Sequence, residues 1–83
     1  MPPASSRRLT RQHGPAIRAL RKKDGYEVQE FANMVGGSYS HLQNIEHENK
    51  QASEEDLNKI ARLLGVPLAA VSREIELATR GAA

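Results

Sequence analysis

Two adjacent glycines, Gly36 and Gly37, interrupt the chain between two short stretches of helical character, and no other feature constrains the fold as strongly. Before them, Val28, Phe31, Ala32 and Val35 recur at i, i+3, i+4 and i+7, the spacing of one continuous helix face. After them stands Ser38, whose hydroxyl can accept a backbone N–H that the first helical turn leaves without a partner. Leu42 and Ile45 then supply a buried side. Glycine enters the positive-φ region without steric cost, so Gly36 suits a tight turn. Helices are therefore expected over 27–35 and 38–46. Ala32 is small enough to let the two approach closely.

Similar signals place three more helices. Gly14-Pro15 reads as the start of one over 15–24, since proline suits the first turn; Ile17 and Leu20 form its apolar stripe, and Gly25 ends it. Ser53-Glu54-Glu55-Asp56 resembles a capping box and opens a helix over 53–64 with Leu57, Ile60, Ala61 and Leu64 on one face. Gly65 is its expected stop. Pro67 opens a fifth helix over 67–78, with Leu68, Val71 and Ile75 pointing inward. No segment shows sustained period-two alternation. The expected fold class is all-α, a compact five-helix bundle. It comprises one domain over 14–78, a flexible basic arm over 1–13 and a frayed tail over 79–83.

With 83 residues the chain fits a single domain with a small core. It has no cysteine, hence neither disulfides nor thiolate metal sites. No run approaches the ~20 apolar residues of a membrane span, and MPPASSRR lacks the apolar core of a signal peptide. A cytoplasmic protein without membrane contact is expected. Residues 1–23 carry Arg7, Arg8, Arg11, Arg18, Arg21, Lys22 and Lys23 and no acid, whereas the rest carries ten acidic residues against five basic ones. A polyanion would meet the N-terminal third first. Lys22 and Lys23 also suit the negative end of a helix dipole. Arg7, Arg8 and Arg11 have no such local explanation and are expected to follow phosphates or enter a minor groove.

With Leu42 and Ile45 anchoring the third helix from behind, Tyr39, Ser40, Gln43 and Asn44 project outward. A helix presented this way fits a DNA major groove, which is ~12 Å wide. Its amides can pair with adenine in bidentate fashion; the competing reading is a solvated polar face. His13, His41 and His47 do not have zinc-ligand spacing, and no metal or other cofactor is expected. Glu54, Glu55 and Asp56 are explained by the positive end of a helix dipole, so no enzyme chemistry is expected.

The ordered set Ile17-Arg18-Ala19-Leu20-Arg21, Gly25-Tyr26, Phe31-Ala32, Gly36, Ser38, Leu42, Ile45-Glu46 and Ile60-Ala61-Arg62-Leu63-Leu64-Gly65-Val66 resembles the Cro/CI-type (Xre-like, lambda-repressor-like) helix-turn-helix domains. The resemblance spans roughly residues 14–75. It implies sequence-specific binding of double-stranded DNA by a small phage-type or bacterial repressor, as a homodimer. It further implies base contacts by Tyr39, Ser40, Gln43 and Asn44, and an internal ion pair between Arg21 and Glu46. Backbone contacts would come from Ser38, His41, Lys50 and the N–H of Val28. Two residues depart from the family pattern: Val28 replaces a phosphate-clamping Gln, and Gly37 replaces a small aliphatic. The alternative is a protein-interaction module, an antitoxin or adaptor, whose bundle chiefly binds a protein partner.

Overall fold

The computed structural model describes the backbone of residues 7–77 and the side chains of residues 10–74. In chain order it contains β1 (Arg7–Gln12), α1 (Gly14–Lys23), α2 (Val28–Val35), α3 (Tyr39–Glu46), α4 (Glu54–Leu64), a 3-10 turn (Leu68–Ala70) and β2 (Ser72–Leu77). Among the described residues the protein is mostly helical, with four α-helices and one two-stranded antiparallel sheet. None of these helices is long and apolar enough to cross a membrane.

Each helix is delimited by short-range chemistry. His13 Nδ1 accepts the Ala16 N–H at 3.2 Å, and Arg21, Lys22 and Lys23 fill the last turn of α1, where the dipole favours cations. Gly36 adopts φ 90°, and the N–H groups of Gly36 and Gly37 both reach the Ala32 carbonyl, which closes the end of α2. Ser38 and Ser53 cap α3 and α4, each hydroxyl accepting an N–H at 3.0 Å, from His41 and Asp56 respectively.

The apolar faces meet in one core of Ile17, Phe31, Ala32, Val35, Leu42, Ile45, Leu57, Ile60, Ala61 and Leu64, joined by Ala52 and Val71. Burial of each larger side chain contributes about 1.5–3 kcal/mol. The Tyr26 and Phe31 rings lie 5.5 Å apart in a tilted pair at the edge of this core.

The expected fifth helix is absent. Residues 68–70 make a single 3-10 turn, and residues 72–77 form β2. Val71 is buried as expected, but Leu68 remains partly exposed. The physical reason is a partner at the far end of the chain. Residues 7–12, expected as a flexible arm, form β1 and pair with β2 in the register Arg7↔Leu77, Leu9↔Ile75, Arg11↔Arg73 and Gln12↔Ser72. The His13 N–H reaches the Val71 carbonyl at 2.8 Å and closes the base of this ribbon. Residues 1–6 of the expected arm, and the expected tail over 79–83, lie outside the described residues.

Gln12 locks the ribbon to the bundle. Its side chain is buried; Nε2 donates to the Lys50 carbonyl at 2.6 Å and the Ile45 carbonyl at 3.3 Å, while Oε1 accepts the Ala52 N–H at 3.1 Å. Three backbone groups at the end of α3 and in the loop after it are thereby satisfied by one amide. In the same loop Glu48 has φ 60°, uncommon for a residue with a side chain. Its carboxylate accepts from the Gly14 N–H at 2.8 Å and from Arg73 of β2 at 2.6 Å, which holds the backbone in that conformation.

Candidate nucleic-acid interface

Helix α3 is anchored from behind and open in front. Leu42 and Ile45 are buried in the core, whereas Ser38, Tyr39, Ser40 and His47 are exposed and Gln43 and Asn44 half-buried. Tyr39, with half its surface exposed, stands at the first position of α3. The side chains of Tyr39, Ser40 and Asn44 have no intramolecular hydrogen bond among the described residues, so their polar groups are available to a ligand.

Three contacts fix the orientation of α3. Arg21 of α1 holds Glu46 through Nε–Oε2 at 2.7 Å and Nη2–Oε1 at 3.2 Å, and its third donor, Nη1, reaches the Tyr26 carbonyl at 2.7 Å. Both charged groups are nearly inaccessible to water, where only a fully satisfied pair is tolerable. Gly14 provides the second contact. A Cβ there would overlap the Glu46 carbonyl oxygen, so α1 approaches the end of α3 more closely than a side chain would permit.

The third contact joins α3 to α4. His41 Nε2 lies 2.9 Å from Asp56 Oδ2, and the ring lies over Gly37, where an added Cβ would come within 2.7 Å of Cδ2. Gly37, which stands where the family pattern has a small aliphatic, leaves room for this imidazole. His41, expected near a phosphate, has a partner within the protein.

The remaining expected backbone contacts are dispersed. Val28 is half-buried and packs against the core, at the N-terminus of α2. That terminus follows Glu27, whose N–H donates to Glu30 Oε1 at 3.4 Å, so two carboxylates already stand there. Lys50 is exposed on the loop after α3. Arg7, Arg8 and Arg11 belong to β1 rather than to a free arm. His47 was absent from the expected site: its Nε2–H donates to Gln43 Oε1 at 3.0 Å. The i, i+4 spacing of Gln43 and His47 on one helix was the available signal.

The chain matches the model of the Helix-turn-helix family (HTH_3) over residues 17–71. The solved structure of SinR, the master regulator for biofilm formation, in complex with DNA is 31% identical, with a TM-score of 0.64 over 69% of this chain and 95% of that one. The DNA-binding domain of SinR from Bacillus subtilis is 30% identical, with a TM-score of 0.63 over 69% of this chain and 86% of that one. The clp gene regulator ClgR from Corynebacterium glutamicum is 30% identical, with a TM-score of 0.63 over 68% of this chain and 73% of that one. The restriction-modification controller protein C.AhdI from Aeromonas hydrophila, at 23% identity and a TM-score of 0.65 over 69% of this chain and 86% of that one, shares the fold. A comparison with curated protein sequences found no match. The two-glycine turn, the capped and outward-facing α3 and the matched span together show that this chain belongs to the Xre/Cro-like helix-turn-helix family.

Proposed function

We propose that this protein is a cytoplasmic transcriptional regulator that binds double-stranded DNA in a sequence-specific manner. Its recognition element is α3, laid in the major groove. The observation that carries this reading is a helix fixed at both ends, by Arg21–Glu46 and His41–Asp56, whose outer face leaves the side chains of Tyr39, Ser40 and Asn44 without partners among the described residues. A base reader must be held rigidly and must arrive with unsatisfied donors and acceptors. Tyr39, Ser40, Gln43 and Asn44 read base edges. Ser38, Lys50 and the Val28 N–H contact phosphates, and His41 does so only at the expense of Asp56. Arg7, Arg8 and Arg11 add sequence-independent attraction from the ribbon.

The protein binds as a homodimer to two half-sites one DNA turn apart, about 34–36 Å, as the resemblance to helix-turn-helix repressors implies, and repression then follows from occlusion of a promoter. Selection from random duplexes tests the reading. Enrichment of a short palindrome, lost on alanine substitution of Tyr39, Ser40 and Asn44, is the expected outcome. Failure to enrich any sequence would overturn it and favour a module that binds a protein partner.

A further inference from the structure

Residues 68–77 start as a helical turn and continue as a strand. The Ala70 N–H reaches the Pro67 carbonyl at 2.9 Å and the Val71 N–H the Leu68 carbonyl at 3.0 Å. The Ser72 hydroxyl then donates to the Leu68 carbonyl at 2.8 Å, the acceptor that the Ser72 N–H would use in a continuing α-helix. The backbone instead leaves the helical path at Val71, with φ −116°, and β2 begins. We propose that this segment is a two-state element. It is a strand while β1 is paired with it, and a fifth helix continuing the 3-10 turn once β1 is withdrawn. Pairing with β1 is thereby a switch that acts on the end of α3.

Local preference in the segment favours the helix. Leu, Ala, Arg and Glu, all strong helix formers, fill seven of its ten positions, and neither Gly nor Pro interrupts them. Glutamate, at 74 and 76, is depleted in strands. In a helix, Leu68, Val71 and Ile75 stand at i, i+3 and i+7 on one face. The ribbon offers less. A two-stranded sheet is marginal by itself, and this register sets Arg11 directly opposite Arg73, a like-charge pair. Leu68 remains 37% exposed, beside a cleft walled by Thr10 of β1, by Ala52 and by Leu57 of α4. Withdrawal of β1 takes one wall away and opens this apolar surface to a helix face. What holds the strand is therefore β1, through the Gln12 amide and the His13–Val71 bond at 2.8 Å.

The two states differ in their grip on α3. In the strand state Gln12 bonds the Ile45 and Lys50 carbonyls, and Arg73 holds the Glu48 carboxylate. Both contacts end when β1 leaves and residues 72–77 wind into a helix. α3 then keeps Arg21–Glu46 and His41–Asp56 but loses the hold on the loop that follows it. Resting on the proposed docking of α3, the strand state is the one that reads DNA. Duplex in turn favours the strand state, since such coupling is reciprocal.

The His13–Val71 bond continues the register and makes the odd-numbered residues of β1 those whose N–H groups face β2. Leu9→Pro/Arg11→Pro in the full chain therefore removes two ladder donors and keeps Gln12. Leu9→Ala/Arg11→Ala loses the same side chains but keeps both N–H groups. NMR Cα shifts of residues 72–77 read the outcome. In the parent and the alanine variant they should lie on the strand side of random-coil values. In the proline variant they should cross to the helical side while those of α1–α4 stay. Adding Glu74→Thr/Glu76→Thr to the proline variant should move them back, because threonine lowers helix and raises strand preference. The proline variant should bind the selected duplex at least about fivefold more weakly than the alanine variant. Random-coil or strand shifts over 72–77 in the proline variant, an equal move in the alanine variant, or loss of the α1–α4 shifts would each overturn the two-state segment. Equal duplex affinity of the two variants, once the shifts have moved, would overturn the grip on α3. A parent that binds no duplex would overturn the proposed function and leave the shift result to stand by itself.

Discussion

Arg21 of α1 and Glu46 of α3 form a two-pronged ion pair in which both side chains are almost wholly removed from water, at 5% and 1% exposure. The pair ties the helix that opens the bundle to the last turn of the recognition helix. Removing one partner leaves the other charged and dry, at a cost of about 3–5 kcal/mol. Glu46→Ala or Arg21→Ala should therefore abolish most of the stability of a domain this small, read as a large fall in the urea midpoint. The double substitution Arg21→Met/Glu46→Leu should recover much of it, because an apolar pair does not carry the desolvation cost.

Gln12 makes β1 part of the folded domain. Gln12→Leu would leave the Lys50 and Ile45 carbonyls and the Ala52 N–H without their present partner. The expected loss is at least about 2 kcal/mol. Truncation of residues 1–12 should lower stability as well as DNA affinity, because it removes both β1 and this amide. Thermal denaturation of that truncated chain reads the structural effect, and DNA titration of Arg7→Ala/Arg8→Ala/Arg11→Ala, which keeps the backbone of β1, reads the electrostatic one.

Gly37 and His41 should be energetically coupled. Gly37→Ala places a methyl group where the imidazole lies and should displace His41 from Asp56. A destabilisation of about 1 kcal/mol is expected in the parent and little in a His41→Ala background, where the obstructing ring is gone. A double-mutant cycle by denaturant unfolding measures this coupling.

Asn44 is the most exacting test of base reading. Its amide has no partner among the described residues and lies on the outward side of a rigid helix. Asn44→Ala should relax preference at one base pair of the selected site by about 1–3 kcal/mol, roughly 5–150-fold, with little change in binding to random duplex. Competition binding with single-position variants of the site reads the effect directly.

Much of the helical half of the fold was legible in local sequence. Apolar spacing identified the buried faces of α2 and α4, and Ser38, Ser53, Gly36 and Gly65 marked their boundaries within a residue or so. Caps and turn glycines act on neighbours three or four residues away, so a short window contains both partners. Leu42, Ile45 and the outward residues of α3 followed from the same periodicity.

Segments 7–12 and 72–77 were not decided by local sequence. The apolar positions of 67–78 are compatible with a helix, while Arg73, Ile75 and Leu77 alternate equally well with Ser72, Glu74 and Glu76. A strand gains its hydrogen bonds only from another strand, and here that strand lies at the opposite end of the domain. Tertiary structure likewise decided that Gln12 is buried, because its three partners come from α3 and the loop beyond it. Sequence alone determined the turn, the recognition helix and its outward residues, since those depend on contacts within a few residues. Pairing of the chain ends and the burial of Gln12 were decided in three dimensions, where distant residues compete for the same hydrogen bonds.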